Sequence, residues 1–280
     1  MTEARELLTS ATTRLADAGL DTPRVDAELL LSHVLGVPRT RLATLEGTVH
    51  PSAAVALDRL LKRRAGREPL QYLLGRAWFR HVEVAVGPGV FVPRPETELL
   101  VDAVWPQLRA GGCAVDLCSG SGALALALAD EVPGLRVLAV EWERDALPWL
   151  RRNASGSAVE VVEADVTDPF DTSPLAELAG RVDAVVCNPP YVPLSVEVGP
   201  EVRHDPRPAV FGGPDGLSFM PAVIARAAEL LGPGGLVAIE HDDTHEQAVP
   251  ALLRADGHWQ EVADHPDLTG RPRYATARRA

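Results

Sequence analysis

A chain of 280 residues is long for one domain and comfortable for two, and its 46% apolar and 24% charged content supplies a core and argues against disorder. With 39 acidic against 27 basic side chains the net charge is −12, which disfavours a protein that grips a phosphate backbone along an extended surface. No apolar run reaches the roughly 18–20 residues that span a bilayer, and Met1 to Leu8 lacks the basic-then-apolar order of a secretory signal, so a cytoplasmic protein without membrane contact is expected.

The first 75 residues read as helical. Leu7, Leu8, Leu15 and Leu20, then Val25, Leu29, Leu30, Val34 and Leu35, recur at the three- and four-residue spacings of one apolar helix face. Breaks fall at Gly19 with Asp21-Thr22-Pro23, at Gly36-Val37-Pro38 and at His50-Pro51-Ser52, and a further amphipathic helix runs from Val55 to Arg64. The segment 1–75 is therefore expected to be a small helical bundle. Its one dense basic cluster, Lys62-Arg63-Arg64 with Arg67, stands at a helix end, where such charges complement the helix dipole.

Residues 76–92 read as a connecting hairpin. Phe79 to Val86 alternates apolar and polar side chains as a strand does, Gly87-Pro88-Gly89 supplies a turn, and Phe91 to Pro95 re-enters extended. Pro95 followed by Glu96, Thr97 and Glu98 then opens a helix with acids in its first turn. From residue 93 onward short apolar strands alternate with helices. Strands are expected at 114–117, 136–140, 159–163, 182–187 and 235–240, and helices at about 122–131, 144–154 and 217–231. That alternation implies an α/β domain, 93–280, with a parallel sheet covered on both faces. Two tail strands, 259–263 and 273–277, would bring the sheet to seven strands. Cys113, Cys118 and Cys187 form no Cys-x-x-Cys pair and read as reduced thiols of the core.

The strand holding Asp116 runs into Cys118-Ser119-Gly120-Ser121-Gly122 and then directly into an apolar helix. A glycine-rich turn there lets a ligand approach the backbone beside a helix N-terminus. Its spacing is neither the dinucleotide fingerprint nor a P-loop. The next strand ends in Glu141, about twenty residues on, where a carboxylate accepts both hydroxyls of a ribose. Asp165 follows the third strand, where a carboxylate can accept from an adenine amino group, and Asp116 is placed to orient the loop or face a cation. Such polar strand ends line the edge at which open parallel sheets bind ligands, and an acid-lined pocket suits a sulfonium better than a pyrophosphate.

The fourth strand delivers Asn188-Pro189-Pro190-Tyr191. Two prolines fix φ and remove two backbone donors, so the loop presents carbonyl oxygens in a set direction. With the Asn188 side-chain oxygen and the Pro189 carbonyl it can take both hydrogens of a planar NH2 group, while the Tyr191 ring packs on the substrate. The chemistry expected is methyl transfer from S-adenosylmethionine to nitrogen, without a metal and without a dedicated histidine base.

These segments resemble the release factor glutamine methyltransferases, the HemK/PrmC family. The resemblance rests on Pro69 to Gly75, on Phe91-Val92-Pro93-Arg94-Pro95-Glu96-Thr97-Glu98, on residues 115–129, on Asn188 to Tyr191, on Gly212 to Leu217 and on Gly270 to Ala275. It implies a Rossmann-like class I methyltransferase domain with an antiparallel last strand. The implied substrate is the glutamine of the Gly-Gly-Gln motif in class I peptide chain release factors, docked by the N-terminal bundle. It further implies that Cys118 to Gly122, Glu141, Asp165, Val166 and Asn188 hold the cofactor, which leaves as S-adenosylhomocysteine. Asn188 to Tyr191 would hold the glutamine, with Arg94 and Glu96 at the entrance. The chain departs from the family pattern at Cys118-Ser119, at Glu141 and at Asp205-Pro206.

The main alternative is an adenine N6-methyltransferase, which needs the same grip on an NH2 group and flips its base into the pocket. The acidic balance and the lack of a basic recognition insert argue against it. A binding module that has lost catalysis is opposed by the joint presence of loop, acid and Asn-Pro-Pro-Tyr. His241-Asp242-Asp243 with His245 carries metal-ligand types but no ligand spacing, and reads as a solvated loop. Trp78, Trp142, Trp149 and Trp259 read as packing residues.

Overall fold

The computed structural model describes residues 2–44 and 47–280. The chain forms two compact units, Met1–Arg76 with Val198–His204, and Ala77–Glu197 with Asp205–Ala280. The return of 198–204 to the first unit has no signature in the sequence, because it depends on ion pairs between residues far apart in the chain.

In the first unit a short strand, β1 (Thr2–Glu3), pairs antiparallel with β2 (Thr48–Val49). Between and after them lie α1 (Ala4–Asp17), α2 (Pro23–Leu35), α3 (Pro51–Ala65) and α4 (Leu70–Leu74). Proline occupies the first turn of α2 and α3, where its missing N–H has no intrahelical partner to lose. Leu8, Ala11 and Leu15 of α1 meet Leu30, Leu31, Leu57 and Leu61 in one apolar cluster. The basic cluster at the end of α3 is matched acid by acid. Lys62 pairs with Asp58, Arg63 with Glu68, buried Arg64 with buried Asp26 at 2.6 Å, and both Arg64 and Arg67 with Glu201. These charges hold the unit together, and the Glu201 pairs draw segment 198–204 onto it.

At the start of the second unit, β3 (Arg76–Phe79, its first residue still counted with the first unit) and β4 (Val82–Ala85) form a two-stranded sheet. This corrects the expected strand from Phe79 to Val86, because a turn at Arg80-His81 divides it. The expected turn at Gly87-Pro88-Gly89 is also present, closed by Val90 N donating to Gly87 O at 3.3 Å, but it follows the hairpin rather than forming it. Arg80 takes the left-handed φ of +50° that a glycine usually supplies. Its strain is offset by contacts. The Arg80 amide donates to Glu98 Oε1 at 2.9 Å, and its guanidinium pairs with Glu131 and Asp102. Gly87 instead meets the Trp149 ring, which lies 2.6 Å from where a Cβ would stand.

A short 3-10 turn over Pro95–Thr97 leads into α5 (Glu98–Val104). The main sheet then collects β5 (Cys113–Leu117), β6 (Arg136–Glu141), β7 (Val159–Glu163), β8 (Val182–Cys187), β9 (Leu231–Glu240), β10 (Trp259–Pro266) and β11 (Pro272–Arg279). Their order is β10-β11-β9-β8-β5-β6-β7. The five strands from β9 to β7 are parallel, while β11 runs antiparallel between β9 and β10. This is the Rossmann-like, mostly parallel seven-stranded sheet that the sequence predicts. The helices α6 (Ala123–Glu131), α7 (Leu147–Ala154), α8 (Arg207–Val210), α9 (Met220–Leu230) and α10 (Ala248–Asp256) complete the unit. The chain runs outward from β5 through β6 to β7, then returns to the other side of β5 with β8. The switch between β5 and β8 opens the crevice at the carboxyl ends of the strands, where such sheets bind ligands.

Removing one partner of a buried ion pair leaves the other charge uncompensated. Asp26→Ala is expected to destabilise the first unit by about 3 kcal/mol, the low end of the usual range because Arg64 keeps Glu201. Urea unfolding followed by far-ultraviolet circular dichroism checks this, and a change below about 1 kcal/mol would contradict it.

Candidate active site

The turn after β5 is built on backbone conformations that few side chains adopt. Cys118, Gly120 and Gly122 have φ of +58°, +56° and +85°. The turn is pinned by Ser119 N donating to Val140 O at 2.9 Å and by Gly120 N donating to Glu141 Oε2 at 2.8 Å. Asn153 adds a staple that sequence reasoning missed. Its amide donates to the carbonyls of Ser121 and Ala85 and accepts from Ala85 N, tying the turn to the β3–β4 hairpin.

Asp116 lies buried beneath this turn, accepting at Oδ2 from the Ser119 hydroxyl and Ala125 N, while its Oδ1 is buried without a partner. Burial pushes its carboxyl up to about 7 against the two hydrogen bonds that lower it. Glu141 is buried and its carboxyl is likewise raised by burial. Its Oε1 accepts from the amides of Trp142 and Glu143 and its Oε2 from Gly120, so Oε1 is saturated and Oε2 keeps a second lone pair for a ligand. Asp165 Oδ1 accepts from the amide and hydroxyl of Thr167.

A single pocket is lined by Cys118, Ser119, Gly120, Ser121, Glu141, Asp165, Val166, Asn188 and Pro190. The expected residues from four strand ends therefore converge on one cavity. Gly122, Asp116 and Pro189 are buried and are not among its lining residues. Tyr191 turns elsewhere, since its hydroxyl donates to Glu240 Oε1 at 2.8 Å. Arg94 is also outside the lining. Its guanidinium pairs with buried Asp205 and lies over the Phe91 ring, which does line the pocket.

Sequence reasoning missed Phe79, Phe91, Thr97, Trp142, Pro206 and Phe219 as pocket residues. Trp142, read as packing, is half exposed at the rim. Its place directly after Glu141 was an available signal. Trp78 too is largely exposed rather than packed. Phe219 had no signal, because only the path of the chain after β8 carries it there.

The Asn188 loop is held from several sides. Asn188 Nδ2 donates to the Thr97 hydroxyl at 3.0 Å. Val192 N donates to Val210 O, Gly212 N to Val192 O and Leu194 N to Gly213 O, so segments 192–194 and 210–213 run side by side. A Cβ on Gly212 would collide with the Pro190 carbonyl, and one on Gly216 with the Tyr191 carbonyl. His245 Nε2 bonds the carbonyl of Asp215 at 2.9 Å, which anchors that glycine loop. The expected solvated loop at 241–245 is thus corrected. His241 and His245 are buried, and His241 bridges Asp264 and its own neighbour's carbonyl. Among the described residues no three His, Cys, Asp or Glu side chains gather to hold a metal. No helix among them is long and apolar enough to cross a membrane. Cys113, Cys118 and Cys187 are free thiols.

Comparison with known proteins bears on this arrangement. Residues 6–75 match the PrmC N-terminal domain family and residues 82–199 the methyltransferase small domain family. A release factor glutamine methyltransferase of Mycolicibacterium smegmatis is 50% identical over 281 aligned positions, covering 100% of this chain and 99% of that protein. One of Streptomyces coelicolor is 50% identical over 279, covering 96% of each. A methyltransferase structure from Pyrococcus furiosus shares the fold at 19% identity, with a TM-score of 0.51 over 70% of this chain and 87% of that one.

A carboxyl whose native pKa is raised keeps its proton in the folded state longer, so the folded state loses stability as pH climbs from about 4 toward 7. Without ligand, the urea midpoint of the protein is expected to fall between pH 5 and pH 8, and Asp116→Asn to show a shallower fall. Equal slopes for the two proteins would contradict the assignment.

Proposed function

Since this chain belongs to the family of release factor glutamine methyltransferases, we propose that it methylates the side-chain amide nitrogen of the glutamine in the Gly-Gly-Gln motif of class I peptide chain release factors. One observation carries the reading. The Asn188 amide nitrogen is bound to Thr97, which leaves its oxygen for a donor in the pocket that Glu141 also lines.

The residues fit S-adenosylmethionine, which when bound supplies a methyl group on a positively charged sulfur and leaves as S-adenosylhomocysteine. Glu141 offers the remaining lone pair of its Oε2 to a ribose hydroxyl, and the left-handed turn from Cys118 to Gly122 gives close access to the backbone. Asp165 and Val166 receive the adenine, with Trp142 at the rim. Asp116, with one buried oxygen unpartnered, holds the Ser119 turn and adds negative potential beneath a cationic ligand. This reading calls for no metal.

An amide nitrogen is a weak nucleophile because its lone pair is delocalised. Asn188 Oδ1 and the Pro189 carbonyl take its two hydrogens, which raises electron density on nitrogen and fixes the direction of approach. Such orientation contributes ~7–11 kcal/mol to a well-placed reaction. The alkylated nitrogen is a strong acid and loses its proton without a histidine base. Tyr191, anchored on Glu240, braces the loop rather than covering the amide. Arg94 acts on the entrance through Phe91 and Asp205. The first unit is assigned to docking the release factor, and the enzyme to the cytoplasm without a stable nucleic-acid partner.

Incubation of a release factor with enzyme and S-adenosylmethionine, followed by peptide mass spectrometry, is expected to show one added methyl on the Gly-Gly-Gln glutamine. Label that enters DNA or RNA but not the factor would overturn the reading. Asn188→Ala is expected to lower kcat by about 10²–10³, while affinity for S-adenosylmethionine measured by calorimetry weakens only moderately. Unchanged turnover would remove the orienting role.

A further inference from the structure

Between β5 and β6, and again between β6 and β7, an α-helix follows the turn that leaves the sheet. The crossing from β7 to β8 has only two short 3-10 turns, Phe170–Thr172 and Ala176–Leu178. β7 is also the last strand of the sheet, so it is paired on one side alone. Yet Asp165 and Val166, just past its end, line the pocket. Something other than a helix must fix them.

Part of the answer is local. Asp168 N donates to Asp165 O at 3.2 Å, which closes the turn 165–168, and Asp165 Oδ1 accepts from the amide and hydroxyl of Thr167. Oδ2 takes no part in these bonds and is left for a donor in the pocket. The carbonyls of Val166 and Asp168 are met by Arg226 of α9. Its Nη2 donates to Val166 O at 3.4 Å and to Asp168 O, and its guanidinium lies over the Phe170 ring, 4.9 Å from the centroid. One side chain therefore holds two carbonyls of the turn and the ring that follows it.

Arg226 is 3% exposed, and Val223, Ile224, Ala227 and Leu230 of the same helix belong to the apolar core, as does Val166. Its Nε and Nη1 are buried without a hydrogen-bond partner, although Nη1 stands 3.4 Å from the Glu229 carboxylate. A permanent charge placed so is a poor way to stabilise a core, since an apolar side chain of similar volume does as well or better. What Arg226 supplies is two directed hydrogens on one nitrogen, aimed at the turn.

We infer that Arg226 is a positioning residue that sets the turn 165–168, and thereby the preference of the pocket for adenine over a purine with oxygen in place of the amino group. It touches no ligand in this role. The inference rests on the reading above that Asp165 and Val166 receive the adenine. A carboxylate oxygen accepts and does not donate, so Asp165 Oδ2 meets the adenine amino group and repels the oxygen of hypoxanthine. Without Arg226 the two carbonyls lose their donor, the turn reorients to find water for them, and Asp165 moves with it.

Arg226→Met keeps the length of the side chain and removes both hydrogens. Arg226→Lys keeps a cation with three hydrogens on one nitrogen, enough for two carbonyls and the face of Phe170. Calorimetry on the full chain compares S-adenosylhomocysteine with S-inosylhomocysteine, in which hypoxanthine replaces adenine. The native protein is expected to favour the adenine ligand by about 30-fold or more, as a hydrogen bond to a charged group allows. Arg226→Met should narrow that ratio at least about fivefold, chiefly by weaker binding of the adenine ligand, and Arg226→Lys should hold it within about threefold. A native ratio in Arg226→Met overturns the inference even if both ligands bind more weakly, because a general loss of structure lowers them together. An Arg226→Lys protein with the ratio of Arg226→Met overturns it too. Should Arg226→Met fail to fold by near-ultraviolet circular dichroism, Arg226→Gln, whose amide falls short of both carbonyls, replaces it with the same expected ratio. A native protein that binds the two ligands equally refutes the adenine reading itself, and the inference falls with it.

Discussion

The site depends on a loop that cannot hold itself. Pro189 and Pro190 give the segment after β8 no backbone donors at two successive positions, so it can join no ladder of its own. Its shape is imposed from outside by the parallel run of 192–194 against 210–213 and by the Tyr191 hydroxyl on Glu240. The close approach of Gly212 and Gly216 to the carbonyls of Pro190 and Tyr191 explains why glycine stands at both places, since any Cβ there meets backbone that has nowhere to move. A loop braced in this way presents its carbonyls in one arrangement, which is what orientation-based catalysis asks of it.

The second constraint is electrostatic. Asp116 and Glu141 stand near the carboxyl ends of the neighbouring strands β5 and β6, Glu240 at that of β9 on the far side of β8, and all are buried. Burial raises the pKa of each, so the ligand-free fold gives up stability at neutral pH to keep carboxylates in a low-dielectric crevice. Backbone amides offset part of that cost at Glu141, whereas Asp116 and Glu240 each keep one oxygen without a partner. Such strain gathers where ligands bind, because a cationic or hydroxyl-bearing ligand relieves it.

The path of the chain after the loop matters to both units. Leaving Tyr191, it contributes Val198–His204 to the first unit through Glu201, then returns at Asp205, which receives Arg94 and the amide of Val92. Pro206 and Pro208 then reach the pocket wall. Asp205, a departure from the family pattern, is therefore a structural carboxylate of the second unit.

The alternation of short apolar runs with helices was enough to place the strands of the sheet and the helices α6, α7 and α9, because period and length are local properties of the chain, whereas α8 and α10 went unread. The acids at the strand ends and Asn188 were legible for the same reason. Position in a parallel sheet follows from position in the strand. The turn at Arg80 was not legible, since a left-handed arginine is tolerated only where Glu98, Glu131 and Asp102 hold it, and those partners come from two later helices. Nor could the sequence say that Tyr191 faces Glu240, that Asn153 staples the glycine turn, or that Thr97 lies against Asn188. By itself the sequence determined which chemical groups the chain brings to the edge of its sheet. The tertiary structure alone decided which way those groups point, because hydrogen-bond direction is set by neighbours that only folding assembles.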